Sequence, residues 1–159
     1  MANQIRISAK ARSEAPRRDV YRLLSDSTTW STWSPFSSVN LIEPGPGGGE
    51  GPGSVKETRY LGLTGRERVV SATPDSQMSY AYLSGAFAPY MRDYVGVIDL
   101  RDSEDGTCTE ILWHSSFRAR FPGSGLLPRA ILKRFLQRCV DGLAEQAGVL
   151  GQKGSTPDD

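Results

Sequence analysis

The sequence predicts an α+β domain in which a curved antiparallel sheet holds one long C-terminal helix against its concave face. Three observations lead there. An alternating segment at Ile5 to Ala9 is followed by two short helical stretches, strand-like runs fill the middle of the chain, and one long amphipathic helix closes it. A strongly bent sheet and a single helix cannot touch everywhere, so the space between them is expected to be a mostly apolar cavity.

Ile5 to Ala9 alternates apolar and polar side chains, the pattern of a half-buried strand. Ser13 and Pro16 then announce a helix, because proline costs nothing in a first turn whose N–H groups have no intrahelical partner. Val20, Tyr21, Leu23 and Leu24 form its buried stripe. Ser27 to Phe36 reads as a second, capped short helix with Trp30 and Trp33 at i, i+3, ended by Pro35. A short strand near Val39 to Ile42 leads into PGPGGGEGPG, from Pro44 to Gly53, which is too rich in glycine for regular structure and is read as a flexible hairpin loop.

From Ser54 to Arg118 five strand-like runs are separated by turn signals at Gly62 to Gly65, Pro74 and Asp75, Gly85 to Pro89, and Asp105 and Gly106. In the last of them Ile111, Trp113, Ser115 and Phe117 share one face, expected to be buried, and Leu112, His114, Ser116 and Arg118 share the other. Pro128 to Ala147 carries Ile131, Leu132, Phe135, Leu136, Cys139, Val140 and Leu143 at helical spacing. A single domain over residues 1–150 is expected, with GQKGSTPDD at 151–159 as a disordered tail.

The composition excludes several classes of function. Lys and Arg number 19 against 18 Asp and Glu, so no net field is expected to draw the chain to nucleic acid or to an anionic membrane. Cys108 and Cys139 fit neither a disulfide framework nor a zinc site, and no metal or cofactor is expected. The N-terminal MANQIRISAKAR has no apolar centre, and eighteen consecutive apolar residues occur nowhere. A cytoplasmic protein without stable membrane insertion, monomeric or homodimeric, is expected.

APRRDVYRLLSDSTTWSTWSP, GSVKETRYLGLTGRERVV, MSYAYLSG, YMRDYVGVIDL, GTCTEILWHSSFRARFPGSGLL and the closing DGLAEQA follow one another in an order that resembles the START-like helix-grip superfamily, and within it the polyketide cyclase/dehydrase-like family. The resemblance spans about residues 3 to 148 and implies the helix-grip fold. Proteins similar to this chain include cyclases and dehydratases of poly-β-ketones, carriers of lipids or hormones, and simple binding proteins, so the fold does not decide the chemistry. Such proteins often have an arginine just after the glycine-rich loop; this chain has Lys56, which cannot offer a bidentate anion contact.

The expected ligand is a small hydrophobic, aromatic, polyketide-like or lipid molecule in a cavity lined by Trp33, Tyr80, Tyr82, Tyr94, Trp113, Ser115, Phe117, Phe135 and Cys139. Plain core packing is the competing account of each aromatic taken singly. Glu67, in GRERVV, points opposite to Arg66 and Arg68 in a strand. If the arginines face water, Glu67 faces the cavity, where desolvation would raise its pKa and equip it as a general acid or base on a ketone or enol; the alternative is a solvated strand of mixed charge. His114, the only histidine, is expected to face outward beside Trp113 and to take no part in catalysis. The glycine-rich loop lacks the Lys-Ser/Thr ending of a phosphate loop and is read as a mobile rim. Arg129, Lys133, Arg134 and Arg138 are read as a solvated helix face, with a lipid carrier docking through that face as a third reading beside binding protein and enzyme.

Overall fold

A computed structural model describes residues 4–153. Strand β1 (Gln4–Ser13) is followed by helix α1 (Arg17–Ser25), a 3-10 turn (Ser27–Thr29) that runs into the short helix α2 (Trp30–Trp33), and strand β2 (Ser38–Glu43). Strands β3 (Val55–Tyr60), β4 (Leu63–Thr73), β5 (Gln77–Gly85), β6 (Met91–Asp102) and β7 (Thr109–Ala119) form the meander, and helix α3 (Leu126–Lys153) ends the described chain. All seven strands make one antiparallel sheet in the order β1-β7-β6-β5-β4-β3-β2. This is the predicted helix-grip architecture.

The period-two pattern fixes which face is wet. In β7, Ile111, Trp113, Ser115 and Phe117 are buried while Glu110 and Arg118 are exposed, and one residue of slip would reverse them all. In β6, Tyr94, Gly96, Ile98 and Leu100 take the inner face. Register shifts between Arg66 and Glu67, between Val69 and Ser71, and between Arg92 and Val95 mark irregularities that bend the strands and curve the sheet round α3.

Helix α3 buries Leu132, Leu136, Cys139, Val140, Leu143 and Ala147 at i, i+3, i+4 spacing. Its side chains meet β1 and β7, and α1 and α2 pack on it as well. Ser13 donates its hydroxyl to the Ala144 carbonyl at 2.9 Å, and Gln137 donates to the Lys10 carbonyl at 3.0 Å. Gly142 is where α2 comes closest: a Cβ there would lie 1.8 Å from the Trp33 carbonyl oxygen, a backbone atom that cannot swing aside. Gly142→Ala is therefore expected to push α2 off the helix and cost about 2 kcal/mol or more, read as a lower midpoint in urea.

Two expectations are corrected here. The helix does not stop near Ala147 but continues to Lys153, so the first three residues of the expected tail are helical; residues 154–159 lie outside the described residues. Pro44 to Gly53 is not a free loop. Glu50 accepts from the Ser27 amide and the Ser27 hydroxyl, both at 2.8 Å, and its Oε2 lies 2.8 Å from Lys56 Nζ. Internal turns Gly48 N–H to Gly45 and Ser54 N–H to Gly51 hold the loop's shape, and Gly53 N–H donates to Val69. Gly53 sits at φ +87° with Pro46 packed where its Cβ would be, so here glycine serves tight packing rather than freedom.

Candidate functional site

Sheet alternation brings Glu67 (β4), Tyr80 and Tyr82 (β5), Tyr94 (β6) and Trp113 (β7) to one concave surface, and α3 covers it with Ile131, Leu132 and Phe135. Between them lies a cavity of about 60 Å³. That is well short of the roughly 300 Å³ at which drug-sized ligand pockets begin. Aromatic rings account for the difference. Phe135 meets Phe36 and Tyr60 edge to face at 4.9 and 5.0 Å, and Trp30 stands edge to face on Trp113 at 6.0 Å. Phe87 and Phe135 line the same cavity and are only half-buried.

A hydrogen-bonded chain runs along the cavity wall. Trp113 Nε1–H donates to the Tyr80 hydroxyl at 2.9 Å, the Tyr80 and Tyr94 hydroxyls are 3.3 Å apart, and Tyr94 meets the Ser115 hydroxyl at 2.8 Å. With Ser115 donating to Tyr94 and Tyr94 to Tyr80, the Tyr80 hydrogen is left free for a bound group. Burial holds both phenols protonated, and the nearby Glu67 charge adds to the effect. They serve as hydrogen-bond donors and not as bases. Gly96 pairs with Tyr80 across the sheet and leaves the space its ring occupies; a Cβ there would lie 2.3 Å from the ring.

Glu67 is the one carboxylate on this surface. Gly65, Glu67 and Val69 turn inward while Arg66 and Arg68 are exposed. Glu67 is half-buried, and what it exposes lines the cavity. Burial therefore raises its pKa to about 7, opposed by the ammonium of Lys56, its cross-strand partner. It makes no hydrogen bond to any described residue. Lys56 is itself buried, with Nζ beside Glu50 and 5.6 Å above the Trp30 ring; the contact to Glu50 is an ion pair without hydrogen-bond alignment.

Of the residues expected to line the cavity, Tyr80, Tyr82, Tyr94, Trp113 and Phe135 do so, with Glu67 beside them. Trp33, Ser115, Phe117 and Cys139 do not; they stand one layer behind. Trp33 packs at a tilt against Trp30 and donates to Thr29 Oγ1, Ser115 anchors Tyr94, Phe117 backs the Tyr94 ring, and Cys139 is buried on the inner side of α3, where burial raises its thiol pKa. Alternation says which face a residue takes, but not whether another side chain covers it. Trp30, Phe36, Tyr60, Leu63, Phe87 and Met91 were missed. Only Trp30 carried a sequence signal, its spacing from Trp33. His114 faces outward, its Nε2 3.0 Å from Asp99 Oδ2. Arg129, Lys133, Arg134 and Arg138 are exposed.

A strongly curved sheet gripping a helix over an aromatic cavity with one buried carboxyl defines the class: a helix-grip protein built around an internal site. The family described as polyketide cyclase/dehydrase and lipid transport matches residues 4–148, and the chain belongs to it. No curated protein matches the chain in sequence. Among solved structures it is similar to a protein from Nitrosospira multiformis, with a TM-score of 0.73 at 16% identity over 89% of this chain and 95% of that one. It is also similar to the protein XoxI from Bacillus cereus, with a TM-score of 0.71 at 17% identity over 94% and 98% of the two chains. Ara h 8.0201 gives a TM-score of 0.70 at 15% identity over 91% and 98%. At such identities these likenesses concern the fold alone. Among the described residues no helix is long and apolar enough to cross a membrane, and no cluster of His, Cys, Asp or Glu is placed to hold a metal ion.

Proposed function

We propose that the protein binds a small hydrophobic molecule carrying a carbonyl or hydroxyl group. Its apolar body lies against Tyr82, Phe87 and Phe135, and its polar group meets Glu67. Glu67 carries this reading: a carboxyl enclosed by aromatic rings, without a hydrogen bond, destabilises the fold, and a ligand hydroxyl or enol supplies the missing partner. Membership of a family described by both cyclisation and lipid transport supports an apolar ligand.

A second reading rests on the same residue. With its pKa at about 7, Glu67 is divided between acid and base near neutral pH, which suits it to take a proton α to a ketone and return it to oxygen, with the Tyr80 hydroxyl donating to the developing enolate. Native mass spectrometry of the purified protein, followed by denaturation, tests binding: a stoichiometric apolar passenger is expected. No passenger, together with no thermal shift from any of a panel of aromatic, lipid and β-ketone compounds, would sink the proposal. Glu67→Gln then separates the two readings. In a binding protein it weakens a hydroxyl-bearing ligand about tenfold at most; in an enzyme it abolishes turnover of a β-ketone while affinity stays within that range.

A further inference from the structure

The near-zero net charge conceals an asymmetry. Because the meander is antiparallel, the β3–β4 turn, the β5–β6 segment and the β7–α3 segment meet at one end of the sheet, the end at which Leu63, Phe87 and Phe135 border the cavity. Segments 59–66, 85–95 and 118–133 carry seven basic residues against one acid, Asp93. Asp75, Asp102, Glu104 and Asp105 lie in the turns and strand ends of the opposite end. Arg59, Arg92, Arg118 and Arg129 are exposed and form no ion pair with any described residue.

The same basic end displays bare apolar side chains from two separate segments. Leu61 is 79% exposed, Leu126 69%, Leu127 63% and Phe121 57%. Leu61 is the most telling. It occupies the first central position of a two-residue hairpin turn, at φ +50°, followed by Gly62 at φ +77°. That is the turn in which asparagine is strongly preferred at the first place and where a bulky side chain is strained. Leucine there burdens the fold twice, through its backbone and through its exposed surface, so the folded domain gives no reason for it.

We propose that this end of the molecule docks on an anionic lipid surface, with Leu61, Leu126, Leu127 and Phe121 entering the acyl boundary and the surrounding arginines meeting the head groups. Leu61 and Phe121 stand in connecting segments and Leu126 and Leu127 in the first turn of α3, all exposed near arginines that form no ion pair with any described residue. A specific protein partner would need a surface matched to these scattered side chains, whereas apolar side chains among unpaired arginines suit an anionic bilayer as they stand. Arginines held at an anionic surface add an attraction that salt screens. Docking would place the mouth of the cavity against the bilayer, so an apolar ligand would pass between the two without crossing water. The inference goes beyond the cavity reading and fails separately from it, because none of the four tips lines the cavity.

The test is co-sedimentation with vesicles of phosphatidylcholine alone and of phosphatidylcholine mixed with phosphatidylglycerol. The wild type is expected to pellet with the mixed vesicles, less so as salt rises, and hardly at all with the neutral ones. Leu61→Asn and Leu127→Asn are each expected to weaken binding roughly tenfold. Leu61→Asn should meanwhile unfold at the same temperature as the wild type or higher, since asparagine suits the turn, which separates lost docking from lost folding. Absence of pelleting with mixed vesicles, or pelleting that neither leucine variant changes, would overturn the proposal. So would concentration-dependent self-association that Leu61→Asn abolishes in the absence of vesicle binding, which would assign the patch to a second copy of the chain.

Discussion

At pH 8, Glu67→Gln is expected to be about 3 kcal/mol more stable than the wild type, and near pH 4 the two should be nearly equal. Burial pushes the carboxyl up to about 7 in the folded chain, from its ordinary value of 4.5 in the unfolded one. Between those values the folded state binds more protons than the unfolded state. Stability therefore falls as pH rises through that window, and it is not regained at higher pH. The neutral amide has no such slope. Other carboxyls act in the opposite sense: at Asp99 burial pushes the pKa up, but hydrogen bonds from Gln77 and His114 together with the nearby positive charges outweigh it and hold the group below its usual range, and bonds from Ser103 and Thr107 lower Asp105, so both contribute stability that is lost on acidification. The difference between wild type and variant cancels them. Urea unfolding at half-unit pH steps measures it, and parallel curves would mean that the Glu67 carboxyl is solvated. An ionised group that weakens its own fold at neutral pH is what a site selected for something other than stability looks like.

Why Glu67 was legible in the sequence while much of the cavity was not follows from the range of each signal. The strand period is local, so GRERVV was enough to set Glu67 against its arginine neighbours, and ILWHSSF was enough to orient all of β7. Depth within a face depends on what arrives from elsewhere in the chain. Phe117 and Ser115 turn inward as expected but are covered by Tyr94 from β6, and Cys139, on the buried side of α3, does not reach the cavity. Phe36 and Phe87 sit in connecting segments, where no period exists to mark them. The glycine-rich loop misled for the same reason. Glycine content reports backbone freedom, whereas what immobilises the loop is Glu50, which reaches Ser27 and Lys56 across the fold. Helix α3 outlasts Gly148 and Gly151 although glycine lowers helix propensity, and Ala147, buried one turn earlier, shows that packing still supports the helix there.

Lys56→Met is the second substitution expected to have a large effect, and it connects that loop to the site. Lys56 Nζ is buried between Glu50 and the Trp30 ring, and Glu67 is its neighbour across the β3–β4 ladder. Methionine fills most of the volume but leaves Glu50 charged, largely buried and held by Ser27 alone. Removing one partner of such a pair costs about 3 kcal/mol, whereas Lys56→Met combined with Glu50→Gln should recover most of that loss, because the uncompensated charge is then gone. The two variants together with Glu50→Gln close a double-mutant cycle in urea. If the double variant is as unstable as the sum of the single ones, Lys56 acts through packing and not through its charge. Lys56→Met also has a consequence that packing alone would not produce. Its ammonium is the one charge that opposes desolvation at Glu67, so its loss should move the Glu67 carboxyl further up from about 7. The carbon-13 shift of that carboxyl, followed against pH in both proteins, reads this directly. An unchanged midpoint would show that the lysine holds the loop without tuning the site; an upward shift would show that the residue standing where an arginine was expected does both.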